Sequence, residues 1–594
     1  MTNFLITVAA SAVLVIILFI IIARRTKLID KIYFPLFLIV VISGLLIYGY
    51  AFTVNETLLF TAVIRTALQV LAMFVGNVNY DIVKNTPLYA TLPGQFIFWS
   101  VHLLAFYMTA SAVLSTIGST LILKNRGILL KLSRQEVNII YGTDGNSFNH
   151  AKALLKSNPK SLIVFIDDHS TSDYSNFINQ LGFVVVDSTN PRFEDNFGLK
   201  HKKGIQLYCI SPNEQNNMEF AYRFANILKD ANSKASLTIR ATEKTLDQIL
   251  QTNSKQYNNI FCFTEKELTA RLVTRKASFV DHIHFNDAAL AQNDLYIAIV
   301  GFSILGQEVF SDTVRNTQFE GCKTHYYIID KDLDNLAGPY KHENPGLFEN
   351  YDITMINKDC RSLGAVSVLK DALDQFDVVM ICMSNEHDNA SLASIWESMT
   401  NQRCTIIQCY ENEVKIFNDL SEPQALYGSD VLITKTIDDR AMKGNQLYSN
   451  DVNIQSAWEK ADAFSRQSSR AMADFIDVYK KIMDKVPEVN DEVLENLSRT
   501  EHLRWCAFHY TKGYQTMNKN VISQRAAQRN EQIEKQGHSD IRITVDRVNK
   551  LHACLIDWDK LDELDQFVYQ LTGTQTNYKE LDRQNVRNIE HFIN

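Results

Sequence analysis

The stretch around residue 501 brings together a carboxylate, an imidazole, a guanidinium and an indole. These groups belong to Glu501, His502, Arg504 and Trp505. If the stretch is helical, Glu501 and Trp505 share one face at i, i+4, and Arg504 lies beside them. A flat aromatic ring next to an arginine fork suits a purine that carries a phosphate, or an acidic peptide. Two structural alternatives remain: Trp505 and Trp558 form the core above a buried Glu501–His502 network, or tryptophans lie in the core and arginines in a pocket.

A glycine follows a predicted strand at residue 142, in the position that opens a dinucleotide-binding turn. In the G-x-G-x-x-G register Gly142 is kept, but Asp144 takes the second position and Ser147 the third. The next strand ends at Asp168, where such sites place an acidic residue. A carboxylate in place of the second glycine repels a pyrophosphate both electrostatically and sterically. A scaffold without a ligand is therefore favoured over nucleotide binding here.

The same pattern starts again after a predicted strand at 295–300. Gly301 and Gly306 fit the first and third positions, Ser303 stands at the second, and Asp330 ends the following strand. Asp330 is placed where a carboxylate would bind a ribose. This copy is the better predicted nucleotide site of the two, and a ligand-free scaffold is the favoured alternative.

Other catalytic and metal-binding patterns are missing from the sequence. It contains no G-x-S-x-G motif, no Walker-type loop and no clustered histidine or cysteine ligands. The nine cysteines all lie beyond residue 200 without a C-x-x-C pair, which indicates reduced, buried thiols. A net charge of −8 argues against nucleic-acid binding. We therefore expect neither an enzyme nor a metal site.

The elements that must position these residues change in character along the chain. The 594 residues are 46% hydrophobic, which is too long for one domain and too apolar for disorder. After an apolar region, strands and helices alternate from Val137 to about residue 450, which predicts two Rossmann-like, doubly wound α/β domains in tandem. Long helices follow. The predicted domains are a membrane α-helical domain at 1–127, α/β domains at 128–290 and 291–450, and a mainly α-helical domain at 451–594.

Four apolar runs are long enough to enter a bilayer: Phe4–Ala23, Tyr33–Phe52, Thr57–Val75 and Phe96–Leu123. Basic residues follow the first and the last run, and the positive-inside rule places both basic flanks in the cytoplasm. Three runs separate these flanks, so one of the three must enter and leave on the same side. Thr57–Val75 is the candidate, because Arg65 costs about 2.5–3.5 kcal/mol at a helix centre in lipid. The sequence predicts three crossings and one re-entrant helix in the cell inner membrane, with the N-terminus outside and the C-terminal domains cytoplasmic.

The order of re-entrant helix, polar stretch and long helix resembles that of potassium channels. Phe74, Val75, Gly76, Asn77 and Val78 lie where such channels have a filter resembling T-V-G-Y-G-D, with Val75 and Gly76 matching. Phe74 replaces the threonine and Val78 the second glycine, so potassium selectivity does not follow. The resemblance implies a pore for a monovalent cation, enclosed by four chains in contact with membrane lipid. The alternative is a four-helix anchor without a pore.

The two α/β domains resemble RCK (regulator of potassium conductance, TrkA-N-type) domains. The resemblance is carried by the strand–glycine pattern, by the acids that end the following strands, and by Ser211–Asn217 before a helix. Tandem copies after an inner helix are similar to the gating ring of large-conductance calcium-activated channels. The resemblance implies that four chains supply eight domains, and that the ring pulls on the inner helices through Lys124–Glu136. The implied nucleotide contacts are Gly142, Asp168, Gly301, Gly306 and Asp330.

Three elements beyond residue 450 resemble the RyR repeat, a helical domain first described in ryanodine receptors. They are E-H-x-R-W at 501–505, G-Y at 513–514 and H-x-x-L-x-x-W at 552–558. Asp557 replaces the proline that often precedes the last tryptophan. The resemblance implies an adenine nucleotide or a nucleotide second messenger as the ligand. The implied ligand contacts are Trp458, Arg466, Glu501, His502, Arg504, Trp505, Tyr514 and Trp558.

Together these features predict a ligand-gated ion channel, in which a nucleotide-like small molecule binds the RyR-like module and opens a tetrameric pore. Arg466 and Arg504 are the charges expected to face the ligand, because a guanidinium reaches a phosphate through two hydrogen bonds. The alternative is a membrane effector of bacterial antiphage nucleotide signalling, which depolarises or disrupts the membrane without potassium selectivity.

Overall fold

The structure is a computed structural model in two compact units. It describes residues 27–169, 172–181, 183–189, 197–242, 245–249, 255–362, 374–383, 385–400, 404–410, 413–417, 424–425, 432–433, 436–449 and 451–589. The first unit comprises the residues up to 132 together with 179–184, and the second comprises the rest. The predicted apolar run Phe4–Ala23 lies outside the described residues.

The first unit is helical. Its helices are α1 (Lys27–Asn55), α2 (Leu59–Met73), α3 (Tyr80–Val83) and α4 (Leu92–Leu132). Within the part of the chain that the structure describes, the stretch Pro35–Asn55 of α1 is long and apolar enough to cross a membrane. The 15 residues of α2 extend over about 22 Å, which is shorter than the roughly 30 Å of a bilayer core.

Helix α2 runs back along α1 and then gives way to a returning segment. A Cβ at Gly49 would lie 3.8 Å from Thr66, and one at Gly44 would lie 3.0 Å from Met73, so the two helices are antiparallel. The Asn79 amide then donates to the Tyr48 hydroxyl over 3.3 Å. After α2 ends level with Gly44, the chain therefore turns back along α1.

Polar side chains inside this unit are paired. The Tyr48 hydroxyl lies 2.8 Å from Nε2 of His102, whose Nδ1 donates to the Phe98 carbonyl over 2.7 Å. Arg65 forms an ion pair with Glu56, and its guanidinium lies 5.9 Å from the ring centroid of Phe52. The charge that makes α2 costly in lipid thus has a carboxylate partner at the turn between α1 and α2.

The second unit begins with a six-stranded sheet. Its strands are β1 (Val137–Tyr141), β2 (Leu162–Asp167), β3 (Val184–Asp187), β4 (Ile205–Cys209), β5 (Ala235–Arg240) and β6 (Tyr257–Phe263). The intervening helices include α5 (Gly145–Ser157), α6 (Ser172–Gln180) and α7 (Glu214–Asp230), and α8 (Glu265–Ala277) follows β6. The strand order is β3-β2-β1-β4-β5-β6, which is the Rossmann order 3-2-1-4-5-6. All five residues of β1 are buried, as expected for a central parallel strand.

A second sheet repeats the arrangement. Its strands are β7 (Leu295–Val300), β8 (Thr324–Asp330), β9 (Asp352–Asn357), β10 (Val378–Ile381), β11 (Thr405–Cys409), β12 (Glu413–Ile416) and β13 (Gln424–Ala425). The helices are α9 (Ile304–Asn316), α10 (Leu333–Glu343), α11 (Pro345–Asn350) and α12 (Glu386–Met399). The order β13-β12-β11-β10-β7-β8-β9 contains the Rossmann order 3-2-1-4-5 and adds two antiparallel strands, β12 and β13. Two Rossmann-like α/β sheets in tandem are therefore present, as the sequence predicts.

Helices dominate the rest of the second unit. They are α13 (Asp439–Leu447), α14 (Ile454–Lys460), α15 (Ala463–Lys485), α16 (Asp491–Tyr510), α17 (Lys519–Gln536), α18 (Leu561–Thr572) and α19 (Tyr578–Arg587). The expectation that strands stop near residue 450 is wrong in one detail, because β14 (Gln515–Thr516), β15 (Val545–Asp546) and β16 (Leu551–His552) form a small sheet. Strands of two residues are too short to leave an alternating pattern in the sequence.

The turn between β7 and α9 has no room for a side chain at Gly306. A Cβ at Gly306 would lie 2.1 Å from the carbonyl oxygen of Gly301. We expect Gly306→Ala to lower the free energy of unfolding by about 2 to 3 kcal/mol, because backbone rather than a side chain must move. Thermal unfolding of the detergent-solubilised full chain measures the change.

Gly338→Ala in α10 is the matched control. Apart from its chain neighbours, nothing lies within 4 Å of a Cβ at Gly338, and alanine's helix propensity, better by about 1 kcal/mol, offsets the cost of a Cβ directly before Pro339. Its melting temperature should therefore stay close to that of the parent chain. A Gly306→Ala chain that melts with the Gly338→Ala chain would contradict the tight β7–α9 turn.

Candidate ligand-binding site

A cavity of about 1180 Å³ opens among the helices beyond residue 440. Its walls come from α15, α16, α18 and α19, from the segment 539–547, from two residues of α14, and from single residues of α13 and α17. Helices supply most of the wall, so the lining side chains are held by elements with fixed backbone geometry.

Two capped helices position the main walls. The Asp462 side chain accepts a hydrogen bond from the Ser465 amide over 2.8 Å and so begins α15, and the Asn490 side chain caps α16 by accepting from Val493. One face of α15, at helical spacing, meets the cavity through Ser465, Ser468, Ser469 and Met472. The opposite face of the same helix carries buried charges.

Arg504 lies at the cavity wall and is locked to Glu501 from behind. Its Nε and Nη2 donate to the two oxygens of Glu501 over 2.6 and 2.8 Å. The Tyr479 hydroxyl and the Asn585 amide also donate to this carboxylate, over 2.6 and 3.0 Å. Glu501 and Arg504 are both buried, and the neighbouring carboxylate raises the pKa of Arg504 although burial opposes the charge. The guanidinium therefore stays charged.

One donor of Arg504 is left over. Its Nη1 has no hydrogen-bond partner among the described residues. A buried donor on a charged group without a partner costs free energy unless something accepts from it. Arg504 contributes to the cavity wall, but Nη1 itself is sealed from solvent and does not open onto the cavity.

Aromatic rings form another part of the wall. Trp505 is half-buried, and its ring lies 4.0 Å from that of His509 and 4.8 Å from that of His552. Phe464 lies 5.5 Å from Tyr514 and from His509. These rings offer flat surface to a planar ligand.

His502 faces two acceptors. Its Nδ1 lies 3.1 Å from the Asp582 carboxylate, and its Nε2 lies 2.8 Å from the Ile556 carbonyl. Burial opposes a charge on His502, but the Cys506 sulfur and the Asp582 carboxylate outweigh it and raise its pKa to about 11. His502 is thus a cationic member of the wall with its protons already engaged.

Further cations line the cavity towards its solvent side. They are Lys460, Arg529, Arg542 and Arg547. Arg547 pairs with Asp462 over 2.6 Å and lies 5.7 Å from the centroid of Phe464. Half-buried Arg529 has no ion-pair partner in the described ranges. Cations next to aromatic rings are suited to an anionic, planar ligand.

The sequence-predicted ligand residues divide into two groups. His502, Arg504, Trp505 and Tyr514 line the cavity, and Glu501 lies behind Arg504. The structure brings these residues together.

Trp458, Arg466 and Trp558 lie elsewhere. Arg466 is buried against backbone, donating to the carbonyls of Trp458 and Ile260 over 2.9 and 3.1 Å. Burial and the neighbouring Arg470 lower the pKa of Arg466 to about 10. Trp558 is buried and donates to Glu495 over 3.2 Å. These side chains belong to the packing of the helices rather than to the cavity wall.

Sequence reasoning missed several residues of the wall. Phe464, His509, His552 and Arg529 are the clearest. His509 follows Trp505 at i, i+4 and so shares its helix face, and His552 opens the third RyR-like element, so both positions left a signal. Phe464 lies two residues before Arg466 on α15, in a stretch that belongs to the RyR-like resemblance, whereas Arg529 left no signal because it approaches from α17.

In the turn between β1 and α5, the carboxylate of Asp144 makes a hydrogen bond within the turn itself. Asp144 caps α5 by accepting from the Ser147 amide over 2.8 Å, which places a negative charge where a phosphate would bind a helix N-terminus. Asp168 accepts from the Ser211 hydroxyl over 2.5 Å and is buried. A Cβ at Gly142 would lie 3.1 Å from the backbone of Ser211. These contacts connect the carboxyl ends of neighbouring strands.

In the second turn the carboxylate is engaged before the helix, and α9 itself has no side-chain cap. Asp330 accepts from the Phe302 amide over 2.7 Å and from the Asp332 amide over 2.9 Å, so both of its oxygens are engaged. Gly301 has φ +94, and a Cβ there would lie 2.9 Å from the Cys382 carbonyl oxygen. Gly301 and Gly306 therefore have packing reasons that require no ligand.

The predicted filter segment begins as the end of α2. Gly76 has φ +80, its amide donates to the Met73 carbonyl over 3.0 Å, and the Asn77 amide donates to the Ala72 carbonyl over 3.0 Å. This pattern is a Schellman motif with Gly76 in the left-handed position. Val75 is exposed in the single chain, and Gln69 donates to the Asn77 carbonyl over 3.2 Å.

Comparison with solved structures finds channels at low similarity. The GsuK channel shares 10% identity over 64% of this chain and 77% of its own, with a TM-score of 0.32. The GsuK channel bound to NAD shares 10% identity over 65% and 78%, with a TM-score of 0.31. The GsuK RCK domain shares 10% identity over 47% and 70%, with a TM-score of 0.30. No protein-family profile and no curated protein matches the chain, so the fold assignment rests on the strand orders given above.

The Glu501–Arg504 pair should be essential to stability as a pair. We expect Arg504→Gln or Glu501→Gln alone to cost about 3 to 5 kcal/mol, because each leaves an uncompensated buried charge. The double variant should recover a large part of that loss. Thermal unfolding of the full chain, arranged as a double-mutant cycle, measures the coupling. Additive losses in the double variant would contradict the buried pair.

Proposed function

We propose that the chain is the subunit of a ligand-gated ion channel, in which an anionic, nucleotide-like ligand binds the C-terminal cavity and opens a pore formed by four chains. The observation that carries the proposal is the cavity wall itself. It combines aromatic rings clustered around Trp505 with lining cations, among them half-buried Arg529, which has no ion-pair partner in the described ranges. A planar anion suits both features.

Helix α15 connects the cavity to the first sheet. Its cavity-distant face carries Arg466, which donates to the Ile260 carbonyl of β6, and Asp474, which accepts from Arg271 of α8 over 2.6 and 3.0 Å. Further along, Lys481 pairs with Asp281 over 2.7 Å. A displacement of α15 on ligand binding would therefore carry β6 and α8 with it.

Helix α16 connects the cavity to the second sheet region. The Glu320 amide donates to the Thr500 hydroxyl over 3.0 Å, and the Asn496 amide donates to the Ala288 carbonyl over 2.8 Å. A Cβ at Gly346 would lie 2.4 Å from the Tyr510 ring, so α11 is in close contact with the end of α16. A ligand that contacts α15 and α16 together would bias the placement of the two α/β regions.

The chain offers a direct route from the first sheet to the membrane. Helix α4 continues to Leu132, and β1 begins at Val137. The connection between Leu132 and Val137 is short, so it can extend only a little before a movement of β1 displaces α4. For gating, the ligand must bind the open state more tightly than the closed state, since equal affinity for both shifts nothing.

The first unit has the elements that a re-entrant pore needs. Helix α2 is too short to cross, it lies against α1, and the segment after Met73 turns back. One such segment per chain cannot enclose a path, so closed symmetry around α4 in a homotetramer is the arrangement proposed. The proposed location is the cell inner membrane, with the α/β and C-terminal regions cytoplasmic.

A non-selective membrane effector is the second candidate, and the end of α2 favours it. In the Schellman motif the carbonyls of Ala72 and Met73 accept from Asn77 and Gly76 within the same turn. A selective filter instead presents successive carbonyls to the ion. This candidate binds its ligand in the same cavity, but it depolarises or disrupts the membrane without potassium selectivity. The sequence suggests bacterial antiphage nucleotide signalling as its setting.

The cavity proposal is tested by Arg529→Gln. Arg529 lines the cavity and has no described ion-pair partner, so its loss should not unfold the protein. With AMP as the probe, planar-bilayer recordings of the full chain should need about tenfold more AMP for half-maximal conductance, the loss of one charge-assisted hydrogen bond. Arg587→Gln, an exposed residue paired with Glu580 away from the cavity, is the matched control. Identical AMP responses in both variants would contradict the cavity as the ligand site.

Substitutions of Gly76 distinguish a selective channel from a non-selective membrane effector. Asparagine tolerates the left-handed conformation, whereas a β-branched residue does not. If Gly76 only ends α2, Gly76→Asn should assemble and conduct while Gly76→Val is impaired. If Gly76 forms a selective filter, both substitutions should abolish selective current, since any side chain narrows the path. Reversal potentials in mixed-cation bilayers provide the measurement.

A further inference from the structure

Backbone contacts determine which ring nitrogen carries the hydrogen in two histidines of the cavity wall, and the two histidines differ in this respect. Nδ1 of His509 lies 3.0 Å from the Trp505 carbonyl, and because a carbonyl only accepts, Nδ1 carries the hydrogen. Nδ1 of His552 accepts from the Cys554 amide over 3.1 Å, so it carries none and the hydrogen of His552 is on Nε2. The backbone thus fixes which nitrogen of each ring is protonated.

Both rings are neutral in the folded protein. Burial lowers the pKa of His509 to about 4 and that of His552 to about 3, and the neighbouring histidine His509 adds to the effect on His552. Neutral His509 consequently presents Nε2 as an acceptor, and neutral His552 presents Nε2 as a donor. Neither Nε2 has a hydrogen-bond partner in the described part of the chain, and both residues line the cavity.

The two rings lie side by side next to a flat surface. Their centroids are 5.2 Å apart, and each lies within 4.8 Å of the Trp505 centroid. One small heterocycle can reach both nitrogens while resting on aromatic surface. A carboxylate or a fully ionised phosphate cannot satisfy both, because each offers acceptors only and would leave the His509 lone pair facing a negative charge.

We propose that His509 and His552 read the edge of a nucleobase, with His509 accepting from a ring or exocyclic N–H and His552 donating to the adjacent ring nitrogen or carbonyl oxygen. This inference rests on the proposed function of the cavity and specifies the ligand class. The ligand is a nucleotide whose base has neighbouring donor and acceptor atoms, which describes both an amidine edge such as that of adenine and a lactam edge such as that of hypoxanthine. The lining cations Arg529, Arg542 and Arg547 are left for the anionic part of the same ligand.

Two kinds of substitution separate base reading from structure. Asparagine places a polar atom near the position of Nδ1 and nothing at Nε2, so His509→Asn and His552→Asn keep the backbone contacts and remove the ligand contacts. Glutamine does the reverse, since its amide reaches the position of Nε2. If the imidazoles serve only the fold, the asparagine variants should bind ligand normally.

The probes are AMP, IMP and purine riboside 5′-monophosphate, with binding to the full chain in detergent measured by calorimetry. Purine riboside monophosphate lacks the exocyclic N–H of AMP but keeps the ring acceptor. The parent chain should bind AMP about tenfold more tightly than purine riboside monophosphate, because the unmatched analogue leaves the His509 acceptor unsatisfied. IMP should bind comparably to AMP if a lactam edge is accepted and more weakly if only an amidine edge is.

The variants should then separate the two contacts. In His509→Asn the preference for AMP over purine riboside monophosphate should disappear, with affinity for the analogue unchanged. In His552→Asn both should weaken about tenfold, because both carry the ring acceptor. The glutamine variants should retain at least part of the AMP preference. An AMP preference that survives His509→Asn overturns the proposal.

Failure of this inference and failure of the proposed function give different results. If pyrophosphate binds in a manner that Arg529→Gln weakens while the nucleotides bind no more tightly than pyrophosphate, the cavity is an anion site and base reading is wrong. If neither pyrophosphate nor any nucleotide binds the parent chain, both proposals fall.

Discussion

The buried charges on one face of α15 are the constraint on which the rest of the second unit depends. Arg466, Arg470 and Asp474 are removed from water, and a buried charge without partners costs several kcal/mol. Each finds its partners outside α15: carbonyls of β6, the carboxylate of Asp438, and the guanidinium of Arg271. These partners fix the rotation of α15 about its axis, and that rotation turns the serine face of the helix towards the cavity.

This arrangement determines how a ligand could act at a distance. Rotating α15 would break several buried pairs at once, so the inexpensive motions of the helix are those that carry its partners with it. The cavity wall formed by α16 is tied in the same manner to the second sheet region through Thr500 and Asn496. In the proposed channel, binding free energy in the cavity would thereby change the placement of the two α/β regions instead of being lost in local repacking.

The sequence predicts the architecture well where whole strands are buried on both faces. It predicts poorly which single side chains of a helix enter the cavity. Parallel strands buried on both faces leave continuous apolar runs, and both Rossmann-like sheets follow from them. In the helix with Arg504 and Trp505, spacing places these two cavity side chains next to each other but does not single out His509. Arg466 was expected to face the ligand, but it donates to backbone carbonyls, a contact that depends on which strand lies opposite and has no local pattern in the sequence. The same holds for Arg529, which approaches the cavity from α17.

The first Rossmann crevice and the C-terminal cavity differ in one physical respect. In the first crevice the protein's own carboxylate occupies a donor that a phosphate would need, because Asp144 takes an amide of α5. In the second crevice Asp330 takes the amide of Phe302, and the N-terminus of α9 has no side-chain cap. In the cavity an acceptor remains open at His509 and a donor at His552, and the cation Arg529 has no ion-pair partner in the described ranges. A helix N-terminus that is already capped by a carboxylate has little left for a second anion, whereas an unpaired cation gains by meeting one. The proposed division of labour, in which the sheets transmit and the helical module binds, rests on these open groups of the cavity.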